Sequence, residues 1–372
     1  MGAIRALGES LLYCRVSEDL AGLPRPLRIL AASRLCVLSM TAYAVALGGL
    51  MAWLDGRFSW PLFLAVLTGF ALAHLADNLL NDLTDAGRGI DEPGYFRSLY
   101  GPHPIIDGIA SPGEVKATVA LILAGDLAMA LYLGVRVSPL VPLLALAGAL
   151  VMALYAGFPV DAKRLGLGEA LVAVVWGPII AGGTYLALTG RYGLRQAAVY
   201  LPYAAAVSLV LVGKHLDKYD HDSAKGVRTL PIRLGRRRAR ILAAALALAS
   251  IASLAIGVAY YTSSAWGLLV LLPLPIAAAE ARILASPKPA APPEGWPVWP
   301  LWYAAWGYAV LDLAGRYGVA ALLLAGLHGR ALYALAVLTA LMLVGDYKRL
   351  PQIAGLARAS TSQPLNPAAP EP

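Results

Sequence analysis

Long apolar runs separated by short polar loops dominate the chain. Eight such runs precede residue 297, each close to the roughly 20 residues that a helix needs to cross a bilayer. They lie at 36–54, 60–80, 115–134, 138–155, 168–189, 196–213, 241–262 and 265–281. The region 297–346 supplies one or two more, because Asp312 and Arg316 interrupt it. This pattern predicts an all-α, polytopic membrane helix bundle of nine or ten transmembrane helices around a central cavity.

Composition agrees with this fold class. The chain is 59% hydrophobic and 14% charged, with a mean hydropathy of +0.66. Soluble domains carry about a quarter charged residues, so no soluble domain of ordinary size fits here. We predict an N-terminal cytoplasmic or interfacial segment at 1–26 and a membrane domain at 27–346. A tail at 347–372 is predicted to be cytoplasmic or flexible, and disordered from about residue 360.

The basic residues predict how the bundle is oriented. If the N-terminus is cytoplasmic, that side carries 21 Lys and Arg residues up to residue 297, against four on the other side. This bias predicts a multi-pass protein of the cell membrane with both acidic groups described below on the cytoplasmic face, where they form an active-site cap. The net charge of +8 is then explained by anchoring at the lipid bilayer, and no nucleic-acid partner is expected.

The first acidic group follows the second apolar run. Its oxygen-bearing side chains are spaced at i, i+3, i+4 and i+7, namely Asn78, Asn81, Asp82 and Asp85. This spacing places them on one face of a helix, and hard oxygen ligands of this kind suit Mg²⁺. Asp91 follows a glycine-containing turn and can fold back toward them. By its spacing Asp77 lies off the stripe, and no role is assigned to it. The competing interpretation is a solvated, capped helix end.

The second acidic group follows the sixth apolar run, two spans into a second four-span block. It contains Asp217, Asp220 and Asp222 among the basic residues Lys214, Lys218, Lys225 and Arg228. Parallel repeats would bring both groups together over the central cavity, where they could hold a diphosphate through metal ions. An internally neutralised salt-bridge loop is the plainer alternative. His215 and His221 alone are a weak zinc signal.

Several segments of the chain resemble known motifs. Residues 81–91 resemble the first aspartate-rich motif of the UbiA superfamily of intramembrane prenyltransferases, closest to its dihydroxynaphthoate (menaquinone-pathway) branch. Residues 108–115 and 165–169 resemble that branch too, and residues 214–231 resemble the second motif. The resemblance covers roughly residues 28–345. One departure concerns the second motif, because Lys218 stands where its commonest form has the first aspartate.

The resemblance implies an enzyme whose Mg²⁺ ions bind an isoprenyl diphosphate. The implied catalytic residues are Asn81, Asp82, Asp85, Asp217 and Asp222. The implied metal-binding set is Asn78, Asn81, Asp82, Asp85, Asp91, Asp217, Asp220 and Asp222, although the missing aspartate leaves open which of the last three take part. The candidate diphosphate contacts are Arg88, Lys163, Lys218 and Arg228, and anchoring to the membrane surface explains Lys163 equally well. Near-cavity aromatic residues that can shield an allylic cation are Tyr155, Trp176 and Tyr185.

The acceptor of the prenyl group is the open part of this interpretation. The branch resemblance implies dihydroxynaphthoate, and so menaquinone biosynthesis, whereas an archaeal-type ether-lipid enzyme would use a glyceryl phosphate acceptor. From a different class, a secondary transporter would also combine repeats with intramembrane acidic groups. Transporter carboxylates tend to lie mid-span, whereas both groups here lie at the ends of spans. A catalytically dead scaffold is the third possibility.

Overall fold

The computed structural model of the protein describes residues 8, 10, 23–99, 101–296 and 298–362. Within these ranges the chain forms helices and connecting loops, without β-strands. The helices are α1 (Arg25–Ala32), α2 (Leu38–Leu54), α3 (Trp60–Gly87), α4 (Pro112–Arg136), α5 (Leu140–Ala156), α6 (Gly168–Thr189), α7 (Leu194–Asp217), α8 (Tyr219–Ala224), α9 (Leu230–Leu234), α10 (Arg236–Thr262), α11 (Leu274–Ala285), α12 (Tyr303–Gly326) and α13 (Gly329–Ser362). Short 3₁₀ turns occupy Leu35–Val37, Phe96–Leu99 and Ala265–Leu271.

The predicted spans are confirmed. In the described part of the chain nine helical segments are long and apolar enough to cross a bilayer, and α5 is a shorter apolar helix. The region 297–346 contains two helices, α12 and the beginning of α13. The Asp312 and Arg316 side chains that interrupt it pair with each other at 2.7 Å, and Arg316 also reaches Asp346 of α13 at 3.0 Å. Charges within spans are tolerated when they are paired in this way.

The predicted segments at the two ends of the chain can be compared with the structure to different extents. Almost all of the segment 1–26 lies outside the described residues, so the predicted interfacial helix there stays a prediction. At the other end α13 continues to Ser362, so the start of the predicted tail at 347 is a continuation of the last helix. The residues after 362 lie outside the described ranges.

The core lies where α7 packs against α10 and α12. Close approach of these helices depends on glycine, because an added Cβ at Gly257 of α10 would lie 1.7 Å from the Ala198 carbonyl oxygen of α7. Further along α7, a Cβ at Gly213 would lie 2.5 Å from the Tyr303 carbonyl group of α12. Small residues allow such backbone contact where apolar side chains gain nothing by leaving lipid.

The loops at one end of the bundle form what we call the polar cap, made of residues 88–99, 101–111, 157–167, 218–235, 286–296 and 298–302. The Lys225 ammonium joins two of these loops, donating to the carbonyl oxygens of Gly89 at 3.0 Å and Ile90 at 2.7 Å. Below the cap, α6 contains a π-helical segment, Val175–Gly182, around Pro178. Proline lacks a backbone N–H, and π-bulges often line functional sites.

Candidate active site

The first acidic group is centred on Asn81 and Asp85, which face the same direction one turn apart on α3. Lys163, from the loop after α5, inserts between them and donates to Asn81 Oδ1 at 3.0 Å and to the two Asp85 oxygens at 2.9 and 2.8 Å. All three side chains are buried. The predicted helical stripe therefore holds for this pair, and the predicted cation Lys163 is in direct contact with it.

Asp82 does not point in the same direction as Asn81 and Asp85, although the predicted stripe grouped the three together. Its fully buried carboxylate accepts from Arg34 at 2.9 Å and from Arg97 at 2.8 and 3.2 Å. Asp91 and His103 bring ligand atoms within 4.8 Å of Asp82 and of each other. Both Asp82 oxygens are already occupied by guanidinium groups, so the geometry gives this residue the task of fixing Arg97 and the loop that carries it. Sequence reasoning did not single out Arg34 or Arg97, because neither lies in a motif.

Asn78 faces the interior of the bundle about one helical turn before Asn81 and Asp82 on α3. Its amide nitrogen donates to the Ser33 carbonyl oxygen at 2.9 Å, and its backbone carbonyl accepts from Arg34 at 2.8 Å. Asn78 thus ties α3 to the segment before α2, and it lines the space beneath the cap rather than the space between the carboxylates.

The three aspartates of the second acidic group point in three directions. Asp222 is buried and faces the first group, accepting a hydrogen bond from the Tyr95 hydroxyl at 3.0 Å and forming an ion pair with Lys218 at 3.3 Å. Asp220 is exposed and pairs with Arg236. Asp217 and Asp220 stand three residues apart but do not share a helix face, because α7 ends at Asp217 and the chain turns at Lys218 before α8 begins.

Asp217 lies away from the other acidic side chains. Its carboxylate accepts from the backbone N–H groups of Trp302, Tyr303 and Ala304 at 2.9, 3.2 and 3.0 Å, and from Lys288 at 3.1 Å. This arrangement caps the start of α12, whose first N–H groups have no partners within the helix. The geometry does not bring Asp217 to the site where the sequence interpretation expected it.

A polar pocket forms where the two acidic groups meet. It is lined by Asn81, Asp85, Ile90, Asp91, Arg97, Lys163, Lys214, His215, Lys218, Asp222, Val227 and Thr229. Burial alone would lower the pKa of Lys218, but Asp222, Tyr95, Asp85 and Asp91 together raise that pKa above its ordinary value. Burial also raises the pKa of Tyr95, so its phenol keeps the proton that it donates to Asp222.

Two of the four predicted diphosphate contacts line this pocket, and two do not. Lys163 and Lys218 are present. Arg88 instead donates to Asp161 at 2.9 Å and to the Gly157 carbonyl oxygen at 3.1 Å, and Arg228 is exposed. Arg88 is the residue that caps the C-terminal end of α3, and its side chain is directed to the 157–167 loop.

The histidines of the second segment have protein partners. His215 Nδ1 lies 2.7 Å from Glu169 Oε1, so the acidic residue that ends the 165–169 motif orients this ring. His221 packs against the ring of Tyr95 at 5.6 Å between centroids. Neither arrangement forms a zinc site.

An apolar cavity of about 690 Å³ lies directly below the polar pocket. Helices α3, α4, α5, α6 and α7 line it, and Lys214 lines both spaces. Tyr155 and Trp176 face this cavity, as expected, whereas Tyr185 does not line it and donates to Asp55 at 2.5 Å. His74 is hydrogen-bonded through Nδ1 to Thr41 at 2.8 Å and stacks edge-on against Trp176.

Asp77 also lines the apolar cavity, which corrects the expectation that it points off the functional stripe. It lies one helical turn below Asn81, and the spacing 77, 81 and 85 advances by only about 40° per step around the helix. The stripe that faces the interior therefore runs through Asp77 and continues upward to Asp85. The expected stripe shared Asn81 and Asp85 with this one but also included Asp82, which lies about 100° round the helix from Asn81.

Together these features define a class of protein. A polar pocket rich in carboxylates and cations, set above an apolar cavity in a membrane helix bundle, suits a ligand with an anionic head and a long hydrocarbon tail. The sequence model of the UbiA prenyltransferase family matches residues 42–303, so the chain belongs to this family. It is an intramembrane prenyltransferase.

Individual relatives agree with this assignment. The chain is 29% identical over 258 residues to 1,4-dihydroxy-2-naphthoate octaprenyltransferase of Escherichia coli, covering 64% of this chain and 79% of that protein. It is 31% identical over 221 residues to digeranylgeranylglyceryl phosphate synthase of Natronomonas pharaonis, covering 56% and 72%. The structure of a UbiA homolog from Aeropyrum pernix K1 is similar in fold, with a TM-score of 0.56 and 19% identity over 75% of this chain and 97% of that one.

Proposed function

We propose that this enzyme moves an isoprenyl group from a polyprenyl diphosphate to an aromatic quinone precursor, in a reaction that depends on Mg²⁺. One observation supports the proposal most directly. Both acidic segments contribute to a single polar pocket, and this pocket lies above an apolar cavity large enough for an isoprenoid chain. The diphosphate would occupy the pocket, and its hydrocarbon tail would occupy the cavity.

The side chains of the pocket suit Mg²⁺. Asn81, Asp85, Asp91 and Asp222 offer hard oxygen atoms, and Asp91 Oδ1 is buried without a hydrogen-bond partner among the residues that the structure describes. A buried carboxylate oxygen without a partner is costly, and a cation removes that cost. When bound, Mg²⁺ would neutralise the negative charge that develops on the departing diphosphate. We assign these four residues to the metal, and we assign Asp82, Asp217 and Asp220 to structural contacts.

The lysines of the pocket bind the diphosphate in this proposal. Lys163 and Lys218 now contact carboxylate or amide oxygens of the proposed metal ligands. Ammonium groups in such a position can turn toward phosphate oxygens, because a lysine stem is flexible and its three donors are rotatable. The raised pKa of Lys218 keeps its ammonium charged for this purpose.

The apolar cavity protects the reaction from water. Loss of diphosphate leaves an allylic cation, which water would capture in an open site. The rings of Tyr155 and Trp176 face the cavity and can stabilise such a cation through their π-electrons. The acceptor then forms its bond to the allylic carbon and releases a proton, or CO₂ where the attacked carbon carried its carboxylate.

The acceptor is chosen from motif resemblance and from the relatives. The motifs at 81–91, 108–115 and 165–169 favour dihydroxynaphthoate. A glyceryl phosphate ether lipid is the second candidate, because a digeranylgeranylglyceryl phosphate synthase is 31% identical to this chain. We further propose that the polar cap faces the cytoplasm, since the side of the membrane assigned to it carries 21 lysines and arginines up to residue 297, against four on the opposite side.

Purified protein in detergent tests the proposal. Geranylgeranyl diphosphate and a panel of acceptors, including dihydroxynaphthoate and geranylgeranylglyceryl phosphate, would be supplied with Mg²⁺ or with a chelator. We expect a prenylated product and free diphosphate only when the metal is present. Metal-independent transfer would overturn the role of Mg²⁺. Solute binding without turnover of any donor would favour the transporter alternative.

A further inference from the structure

Asp77 and Lys214 occupy matching positions on two facing helices. Asp77 lies one turn below Asn81 on α3, and Lys214 lies one turn below Lys218 on α7. Asn81 and Lys214 line both the polar pocket and the apolar cavity, whereas Lys218 lines only the pocket and Asp77 only the cavity. Asp77 thus lies beneath the proposed diphosphate site, and Lys214 lies at the boundary between the two spaces.

Lys214 differs from the other cations of the polar pocket in its contacts. Arg97, Lys163, His215 and Lys218 are all engaged with carboxylate groups. In the part of the chain that the structure describes, Lys214 has no hydrogen bond and no ion pair with another residue. Asp77 likewise has no hydrogen bond or ion pair among the described residues.

Unpaired charges in apolar surroundings point to a ligand. An ammonium and a carboxylate facing hydrocarbon are costly unless something pairs with them. Lys214 offers up to three donors, which suit a carboxylate or a phosphate. An ionised Asp77 accepts hydrogen bonds only, which suits a hydroxyl group. A molecule that satisfies both must combine an anionic group with a hydroxyl group.

We propose that Asp77 and Lys214 recognise the prenyl acceptor. Lys214 binds its anionic group, and Asp77 accepts a hydrogen bond from its hydroxyl. The proposal rests on the function proposed above and adds to it the residues that select a hydroxyl-bearing anion as acceptor. A site formed by Asp77 and Lys214 would hold the acceptor close to the first carbon of the prenyl chain. That carbon joins the diphosphate in the pocket to the hydrocarbon chain in the cavity below.

The test compares charged and uncharged acceptors in wild type and Lys214→Met. Dihydroxynaphthoate and geranylgeranylglyceryl phosphate are each paired with a neutral counterpart, the naphthoate methyl ester and geranylgeranylglycerol. Lys116→Met serves as the matched control, because Lys116 is exposed on α4 and lines neither space. KM values for donor and acceptor are measured separately, with Mg²⁺ saturating.

We expect Lys214→Met to raise the KM of the anionic acceptor at least tenfold and to leave the KM of geranylgeranyl diphosphate within twofold. The inhibition constant of the neutral counterpart, measured in competition with the anionic acceptor, should be the same in wild type and variant. Asp77→Asn should raise the acceptor KM less, because the amide oxygen still accepts a hydrogen bond. Lys116→Met should match wild type throughout. The anionic acceptor that the wild type uses shows whether Lys214 binds a carboxylate or a phosphate.

Several results would overturn the inference. One is a Lys214→Met variant whose donor KM rises while its acceptor KM does not. Another is an equal loss with charged and neutral acceptors, and a third is a wild-type enzyme that prenylates only uncharged acceptors. If the wild type consumes no donor with any acceptor, the proposed function itself fails. That outcome is distinct from these three, all of which require turnover.

Discussion

The ends of α3 and α7 carry similar numbers of acidic residues but organise them differently. Helix α3 continues unbroken to Gly87, so its polar residues keep a helical register through Asp85. Helix α7 stops at Asp217, and a turn at Lys218 separates it from the short α8. Consequently Asn81 and Asp85 share one pocket, while of Asp217, Asp220 and Asp222 only the last one lines it. Spacing predicts a shared face only as far as the helix extends.

The largest expected effect concerns the carboxylates that both ends bring to the pocket. Asp85→Ala and Asp222→Ala should each lower kcat/KM for prenyl transfer by about 1,000-fold or more, because each removes a proposed metal ligand at the point where charge develops. Turnover of geranylgeranyl diphosphate measures the loss. Unchanged membrane insertion and elution in detergent are the controls. If only Asp85→Ala is inactive, the ends of α3 and α7 do not contribute equally, and Asp222 is not a metal ligand.

The second prediction separates Asp217 from its neighbours. Asp217→Ala should reduce the free energy of unfolding by about 3 kcal/mol, because it removes the cap of α12 and leaves Lys288 without its carboxylate. The measurement is thermal unfolding in detergent, with specific activity determined on the folded fraction. Asp220→Ala is the matched control, and its exposed carboxylate should contribute little. Normal stability combined with lost activity in Asp217→Ala would return Asp217 to the metal site.

Much of the fold was predictable from the sequence, since the length and hydropathy of a span follow from bilayer thickness alone. The meeting of both acidic groups was predictable as well, because both follow the second span of a four-span block. The residues missed were those whose role depends on tertiary contact. Arg97 reaches Asp82 from a loop, and Asp217 finds its partners at Trp302 and beyond, which are far away in the sequence.

The third prediction concerns Lys218, which stands where the commonest form of the second motif has its first aspartate. Lys218→Met and Lys163→Met should each raise the KM of the diphosphate donor about tenfold, since each removes one charge-assisted contact to phosphate. The raised pKa of Lys218 means that its ammonium is charged below that pKa and is lost only above it. The effect of Lys218→Met should therefore be constant from about pH 6 to about pH 9. A tenfold effect that vanishes toward about pH 9 would contradict this assignment.

The smallest effects are expected for the two arginines that the motifs place near the diphosphate but the structure places elsewhere. Arg88→Met and Arg228→Met should each change the donor KM less than about threefold, as surface ion pairs contribute about 1 kcal/mol or less. Arg88 is engaged by Asp161 and the Gly157 carbonyl oxygen, and Arg228 is exposed. The donor KM of each variant is measured by steady-state kinetics in parallel with Lys163→Met, whose effect serves as the reference. A donor KM raised as strongly by Arg88→Met as by Lys163→Met would show that the 88–111 loop closes over the bound diphosphate, bringing this guanidinium into the pocket from which it now points away.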